Sequence, residues 1–368
     1  MSYKLKDLYS PSFYANFAEV LKKVLPSFNA SAFTEKIFHA DWEKMELKDR
    51  MRHTSLVLHD FFPEDFKEAT LVIEKSIKEL QTNRFTSSSL EFMFFPDYIE
   101  RFGLDHFEAS VQAMEFVTQF TSCEFAVRPF ILKYGDQMLE QMYQWSLHED
   151  HRVRRLASEG SRPRLPWAVA LPQLKKDPTP VISLLNNLKN DPSEWVRKSV
   201  ANHLNDISKD NPDIVIKLVK EWSNISKETD ALLKHGCRTL LKQGHPEILK
   251  YYGLNTGDKL TVDHFCITTP EVVIGEHLAF SFTLRNTTEE ELKTRLEYGV
   301  YYLRQNGTHS RKVFKISERT LLPGESLSIE RKQSFKVITS RKFYPGSQKL
   351  SLIINGQEMK QSDFKLIE

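Results

Sequence analysis

The sequence runs to 368 residues, of which 40% are hydrophobic and 27% charged, with a formal net charge of +2. This composition excludes a disordered chain, and no apolar run is long enough to span a bilayer. The first residues lack the apolar stretch of a secretory signal, and Cys123, Cys237 and Cys266 form neither a metal-ligand spacing nor a disulfide framework, so a cytoplasmic protein in a reducing compartment is expected.

Residues from about 13 to 250 read as helical. Apolar residues recur every three or four positions in Phe13–Val24, Met51–Leu58, Phe66–Leu80, Phe107–Phe120 and Ile131–Leu147. Asn29 precedes one helix, Pro63-Glu-Asp65 opens another with an acidic first turn, and Gly103, Gly135 and Gly244 sit where helices can end. The charge is uneven. Residues 1–120 carry 14 basic and 19 acidic side chains, whereas 150–200 carry 10 basic and 5 acidic. Such a basic stretch suits either a nucleic-acid footprint or a solvated helix surface.

The middle of the helical region repeats. Val153-Arg154-Arg155 returns as Val196-Arg197-Lys198, 43 residues on, and a weaker copy places Cys237-Arg238 another 41 residues on. An Asp shortly before each Val-Arg, at a period just over 40, is the pattern of HEAT-type helix pairs, which stack into a curved solenoid. In such repeats the Asp bonds backbone groups of the turn and the Arg braces the neighbouring pair.

After Gly253-Leu-Asn-Thr-Gly257 the period drops to two. Leu278-Ala-Phe280-Ser-Phe282-Thr-Leu284 alternates cleanly, and Val300–Tyr302 and Leu350–Ile354 are also strand-like. Turn signals at Asn306-Gly307, Pro323-Gly324, Pro345-Gly346 and Asn355-Gly356 separate them. Roughly seven short strands predict an immunoglobulin-like β-sandwich, with Tyr344 compatible with a tyrosine corner. The expected fold is therefore multidomain: an all-α HEAT-like repeat solenoid over 1–255 and an all-β immunoglobulin-like sandwich over 259–368.

Neither a phosphate-binding glycine loop nor a zinc-ligand spacing occurs, and a lone histidine such as His203 reads as a surface or satisfied core residue. Three carboxylates stand among basic and aromatic residues: Glu124, Glu159 and Asp206. Superposing Val153 on Val196 sets Glu159 over Asn202, and Asp206 lies one helical turn beyond, so Glu159 and Asp206 are placed to point from adjacent repeats into one groove. Each alone reads first as a solvated or ion-paired helix carboxylate. The segment after Glu159, Gly160-Ser-Arg162-Pro-Arg164-Leu-Pro-Trp167, is unusual for a turn between helices. Its prolines stiffen the loop, its arginines suit phosphates, and its tryptophan offers a π face.

The segments Glu124-Phe-Ala-Val-Arg-Pro-Phe, Ala157-Ser-Glu-Gly-Ser-Arg-Pro-Arg-Leu-Pro-Trp167 and Val200-Ala-Asn-His-Leu-Asn-Asp206, with the opening Leu5-Lys-Asp-Leu-Tyr and the Tyr344-Pro-Gly of the β-domain, resemble the AlkC branch of the AlkC/AlkD alkylbase DNA glycosylases. The resemblance covers essentially the whole chain. It implies a monofunctional glycosylase that excises cationic alkylated bases, of the 3-methyladenine and 3-methylcytosine type, from double-stranded DNA in base excision repair. By the motif match Glu124, Glu159 and Asp206 are the catalytic candidates and Trp167 the lesion-binding one.

The chemistry agrees with that reading. A base methylated at a ring nitrogen is already a good leaving group, so the enzyme needs chiefly to stabilise an oxocarbenium-like sugar and supply water. An indole near the lesion favours a cationic base. Neither a metal nor another cofactor is expected, and no membrane partner; the protein is expected to act as a monomer. Arg152, Arg155, Arg162, Arg164, Lys198 and Arg238 are the expected DNA contacts of the solenoid, with Arg154 and Arg197 expected to be structural. The β-domain, at +4, offers Arg311 and Lys312; this charge suits a solubilising surface as well as DNA, and it is the resemblance that implies the domain adds to the grip on DNA. The alternatives are a non-catalytic HEAT-repeat interaction scaffold and a DNA-damage binder.

Overall fold

A computed structural model describes residues 4–82, 90–255, 259–338 and 341–368. Thr256 and Gly257, the end of the expected linker, lie outside the described residues. Two compact units divide the chain, Met1–Gly236 and Cys237–Glu368.

The first unit is helical. Its opening helices are α1 (Pro11–Val24), α2 (Ala30–Ile37), α3 (Leu47–His59), α4 (Phe66–Thr82), α5 (Phe94–Phe102) and α6 (Phe107–Val117). Side-chain caps start several of them as the sequence indicates: Asn29 Oδ1 accepts from Ala32 N and Asp65 Oδ1 from Glu68 N. Their apolar faces meet in an aromatic core in which Tyr14, Phe17, Phe33, Phe92, Phe94 and Phe95 are nearly inaccessible. The expected helix Ile131–Leu147 is two helices, α7 (Val127–Tyr134) and α8 (Asp136–Trp145). Gly135 between them takes φ +53°, which ends one helix and starts the next although the apolar spacing runs on.

The repeats follow. Helix α8 pairs with α9 (His151–Gly160); then, after α10 (Pro172–Lys176), α11 (Thr179–Leu188) pairs with α12 (Glu194–Ile207), and α13 (Pro212–Trp222) with α14 (Lys227–Gly236). Helix α8 packs on α11, α9 on α12, and α12 on α14, so successive pairs stack. Val153 and Val196 are both fully buried. The expected bracing is present. Asp191 Oδ1 accepts from Ser193 N at 2.8 Å, and Arg154 crosses to the Asp191 carboxylate at 2.6 Å. Arg154 also donates to the carbonyls of His148 and Glu149, and Arg197 repeats that pattern on Asp191 and Pro192.

The second unit begins with two short helices, α15 (Arg238–Gln243) and α16 (Pro246–Tyr251), ahead of the strands. Strands β1 (Leu260–Ile267), β3 (His277–Asn286) and β6 (Ser326–Ser334) form one sheet in the order β1-β3-β6. Strands β2 (Glu271–Val273), β4 (Leu292–Leu303), β5 (His309–Leu321), β7 (Gly346–Ile354) and β8 (Gln357–Ile367) form the other, in the order β2-β8-β7-β4-β5. All pairings are antiparallel except β2 with β8. Leu278, Phe280, Phe282 and Leu284 of one sheet and Leu296, Val300, Leu350, Leu352 and Ile354 of the other fill the core, as the alternation indicates. The Tyr344 carbonyl accepts from Gln348 Nε2 at 3.0 Å, and among the described residues its hydroxyl does not make the hydrogen bond of a tyrosine corner.

The secondary structure changes near residue 255, but the packing changes earlier. Gly244 and Gly356 both hold positive φ, and a Cβ on Gly244 would lie 2.7 Å from the Gly356 carbonyl oxygen. This backbone contact seats α15 and α16 on the hairpin turn between β7 and β8.

Candidate active site

The Pro-stiffened segment after α9 is built on a close approach and a buried cation. A Cβ on Gly160 would stand 2.5 Å from Val127 Cγ1, so only glycine lets the end of α9 reach α7. Arg128, on α7 and fully buried, donates to the carbonyls of Gly160 (2.9 Å), Arg162 (2.8 Å) and Val169 (2.5 Å). Burial, then the Arg162 charge, pulls the Arg128 guanidinium down to about 10. One guanidinium thus sets the shape of residues 160–169. At the tip Trp167 has φ +68° and stays 66% exposed. Lys48 of α3 donates to the Trp167 carbonyl and sits over the Phe125 ring.

The three carboxylates are joined by two arginines. Arg162 Nη1 donates to Glu159 Oε1 at 2.6 Å, and its other edge meets Asp206 Oδ2 at 2.8 Å. Ser199 Oγ completes Glu159 at 2.6 Å, and Lys209 completes Asp206 at 2.9 Å. Arg155 Nη1 donates to Glu124 Oε2 at 2.6 Å, approaches Glu159 at 3.8 Å, and lies 4.3 Å above the Trp195 ring. Glu159 and Asp206 are 6% and 2% exposed. Burial opposes the Arg162 charge, but the two carboxylates outweigh it and hold the guanidinium above its ordinary value.

Glu124, Glu159 and Trp167 line one cavity of about 650 Å³, together with Arg152, Arg162, His151 and Trp195 and the apolar side chains of Met51, Met93, Pro96, Phe120, Phe125 and Leu165. Asp206, expected in the same groove, does not line it. It is joined to the cavity wall through Arg162, whose guanidinium it shares with Glu159.

The basic residues expected at DNA separate in the structure. Arg162 is 7% exposed and spent on Glu159 and Asp206, so its position is structural. Arg155 is spent on Glu124 and Trp195. Arg152 pairs with Asp150 at 2.5 Å beside the cavity, and Arg164 pairs with Asp210 at the surface. Lys198 is exposed in a groove of α12 and α14. Arg238 starts α15, in the second unit. There Arg311 meets Glu358 at 3.2 Å, and Lys312 stands over Phe314, its ammonium lowered by burial and by Arg341 and Lys242. His203 is a core residue: fully buried, its Nδ1 against the Ser158 carbonyl at 2.9 Å, its charged form suppressed by burial and by Arg162 to about 3.

Sequence reasoning missed Arg128, Lys48, Trp195, Asp97 and Glu100. Trp195 had a signal, since it occupies the repeat position of Arg152, and both line the cavity. Among the described residues no three His, Cys, Asp or Glu side chains come together to hold a metal ion.

Residues 97–240 match the family described as DNA alkylation repair enzyme, and residues 261–368 match the C-terminal Ig-like domain of the uncharacterised protein YhaZ. The chain is 39% identical over 362 residues to the uncharacterized protein YhaZ of Bacillus subtilis (strain 168), covering 98% of this chain and 99% of that protein. Among solved structures it is similar to Pseudomonas fluorescens alkylpurine DNA glycosylase AlkC bound to DNA containing an abasic site analog, with 33% identity, full coverage of both chains and a TM-score of 0.92.

Proposed function

Because this chain belongs to the DNA alkylation repair enzymes, in the AlkC branch that carries a C-terminal Ig-like domain, we propose that it is a monofunctional DNA glycosylase for cationic alkylated bases. The observation that carries this reading is the placement of Glu124 and Glu159 in the wall of a largely apolar cavity with an exposed Trp167 at its edge. An interaction scaffold has no use for two arginine-bridged carboxylates facing an apolar cavity.

The chemistry follows from the geometry. As the bond between sugar and cationic base lengthens, positive charge moves to the sugar, and fixed carboxylates lower the energy of that charge without having to reorganise. Glu124 and Glu159 fill this role, each held by one arginine and one serine. One of them orients or deprotonates the attacking water. Arg162 and Asp206 keep Glu159 in place. Trp167 gives the cationic base a π face. The substrate is double-stranded DNA bearing 3-methyladenine or 3-methylcytosine, met by a cytoplasmic monomer.

The deciding experiment incubates the protein with alkylated duplex DNA and measures released methylated bases. Release supports the reading. DNA binding with no base release rejects it in favour of a damage binder, and absence of both leaves a scaffold.

A further inference from the structure

Glu124 and Glu159 both line the cavity, but they are held differently. Glu159 has a donor on each carboxylate oxygen: Arg162 on Oε1 at 2.6 Å and Ser199 on Oε2 at 2.6 Å. The donors of Glu124, Ser122 at 2.9 Å and Arg155 at 2.6 Å, both reach the same oxygen, Oε2. Arg155 forms the one ion pair of Glu124 among the described residues, so the direction of that carboxylate depends on a single guanidinium. The other polar contacts of that guanidinium are long, 3.5 Å to Ser122 Oγ and 3.8 Å to Glu159. What fixes its plane is a ring. Trp195, in the first turn of α12, has its ring centroid 4.3 Å from Arg155 Cζ.

An arginine side chain has many rotamers, and one short bond leaves its guanidinium free to swing. A flat cation laid on an indole face loses that freedom and is attracted by the ring, more strongly where water is kept away. The Arg155 side chain is only 14% exposed. Trp195 is 43% exposed and lines the cavity, yet one face of its ring is taken by Arg155, and His151 meets the ring edge-on with centroids 6.0 Å apart. We infer that Trp195 is a positioning residue: by stacking on Arg155 it fixes the guanidinium, and through it the direction in which the Glu124 carboxylate meets the reacting sugar. The device draws on three parts of the chain, with Glu124 just before α7, Arg155 on α9 and Trp195 on α12. The inference rests on the glycosylase reading above, and it gives Trp195 no contact with the damaged base.

The test is a double-mutant cycle over the natural protein, Trp195→Leu, Arg155→Met and the double variant. Two quantities are measured for each: single-turnover release of methylated bases from alkylated duplex DNA at saturating protein, and affinity for a duplex carrying a tetrahydrofuran abasic analogue. Trp195→Leu is expected to release bases about fivefold more slowly, the worth of a cation–π contact partly shielded from water, with affinity unchanged. Arg155→Met should be slower still, and adding Trp195→Leu to it should alter the rate less than about twofold, because the ring then has nothing to hold. Trp195→Phe, which keeps a ring face, should recover most of the natural rate. Should Trp195→Leu not fold, Trp195→Gln, at the same half-exposed position, takes its place in the cycle. Release at the natural rate by Trp195→Leu or by Arg155→Met overturns the inference. So does a loss matched by an equal loss of affinity for the abasic duplex. A loss repeated in full on the Arg155→Met background also overturns it, since the ring would then act on DNA directly. Failure of the natural protein to release any base overturns the glycosylase reading itself, a result seen before any variant is compared.

Discussion

The Lys48 ammonium donates to the Trp167 carbonyl across 119 residues of chain. Lys48 belongs to α3, ahead of the segment that matches the DNA alkylation repair enzymes, and it also covers the ring of Phe125, the neighbour of Glu124. A non-glycine residue at φ +68° is strained by about 1 kcal/mol or more and persists only where its surroundings hold it. Lys48 is exposed, so the contact alone contributes under about 1 kcal/mol. Lys48→Met is therefore expected to lower base release only about threefold to fivefold. Lys48→Arg should restore most of the rate, and unfolding midpoints of all three proteins should agree. An unchanged release rate in Lys48→Met removes Lys48 from the positioning of Trp167.

The carboxylates that face the cavity should matter most to the chemical step. Glu124→Gln and Glu159→Gln are expected to cut single-turnover release by about 10² or more, with DNA affinity little changed. Asp206→Asn should also cut release, but with a loss of stability, because it leaves the buried Arg162 with one anion instead of two. Parallel unfolding curves and release rates separate the two kinds of loss.

Arg162 and Arg164 are two residues apart, and the structure gives them different work. Arg162→Ala strips both buried carboxylates of their shared partner and is expected to cost about 3–5 kcal/mol in denaturant unfolding. Arg164, half-buried beside the exposed Asp210, should cost under about 1 kcal/mol. If Arg164 and Lys198 exchange their surroundings for phosphates, each alanine variant should flatten the salt dependence of DNA binding by about one unit of slope. Unaltered slopes in both variants would place the phosphate contacts elsewhere.

The repeats could be read in the sequence because the two strong copies use the same devices at the same offsets: a buried Val, an Asp on the turn, an Arg bonding carbonyls five and six residues back. Glu159 and Asp206 could be brought together for the same reason, since superposed repeats share a face. The part Arg162 takes could not. A guanidinium in a Pro-rich loop looks like a surface cation until the loop is seen folded over α12. Asp97, Glu100 and Lys48 lie in helices that precede the repeats, so no periodicity relates them to Glu124 or Trp167. The seating of α15 and α16 on the β7–β8 turn was hidden for a related reason: an amphipathic helix shows which face it buries, but not what covers it.

Glu100 also makes a statement about stability and pH. Its carboxyl is raised to about 7 by burial and by Asp97, against Arg52 and Lys48 of α3 and Arg101 of α5; Glu124, His151 and Arg152 line the same cavity. Below the ordinary glutamate value the group is protonated in both folded and unfolded chains and costs nothing. As pH rises from about 4.5 to about 7 the unfolded chain releases this proton before the folded one, so stability is progressively lost, and the loss is complete above that range. Glu100→Gln removes the titration. Its thermal midpoint should match the natural protein near pH 4.5 and exceed it at pH 8. A difference that does not grow with pH over this window would show that Glu100 is not held in its acid form.

The last prediction concerns where the β-domain can be separated. A cut near residue 255 follows the change in secondary structure. It leaves α15 and α16 on the helical fragment, although the Gly244–Gly356 contact ties them to the β7–β8 turn. In the whole protein Leu240, Leu241 and Ile248 are at most 1% exposed and Leu249 is 8% exposed. Removing the β7–β8 turn takes away that contact and part of the cover of Leu249, a side chain of the kind that contributes about 1.5–3 kcal/mol when fully buried. The fragment 237–368 should therefore unfold cooperatively, at a higher temperature than 259–368. The fragment 1–236 should be less prone to aggregate than 1–255. With a clean division available, the expected grip of the β-domain on DNA can be measured: 1–236 should bind duplex DNA more weakly than the whole chain, and addition of 237–368 as a separate molecule should restore little, because an untethered module lacks the effective concentration that the link supplies. Equal binding by 1–236 and the whole chain would exclude the β-domain from the grip. Equal stability of 237–368 and 259–368 would return the boundary to residue 255.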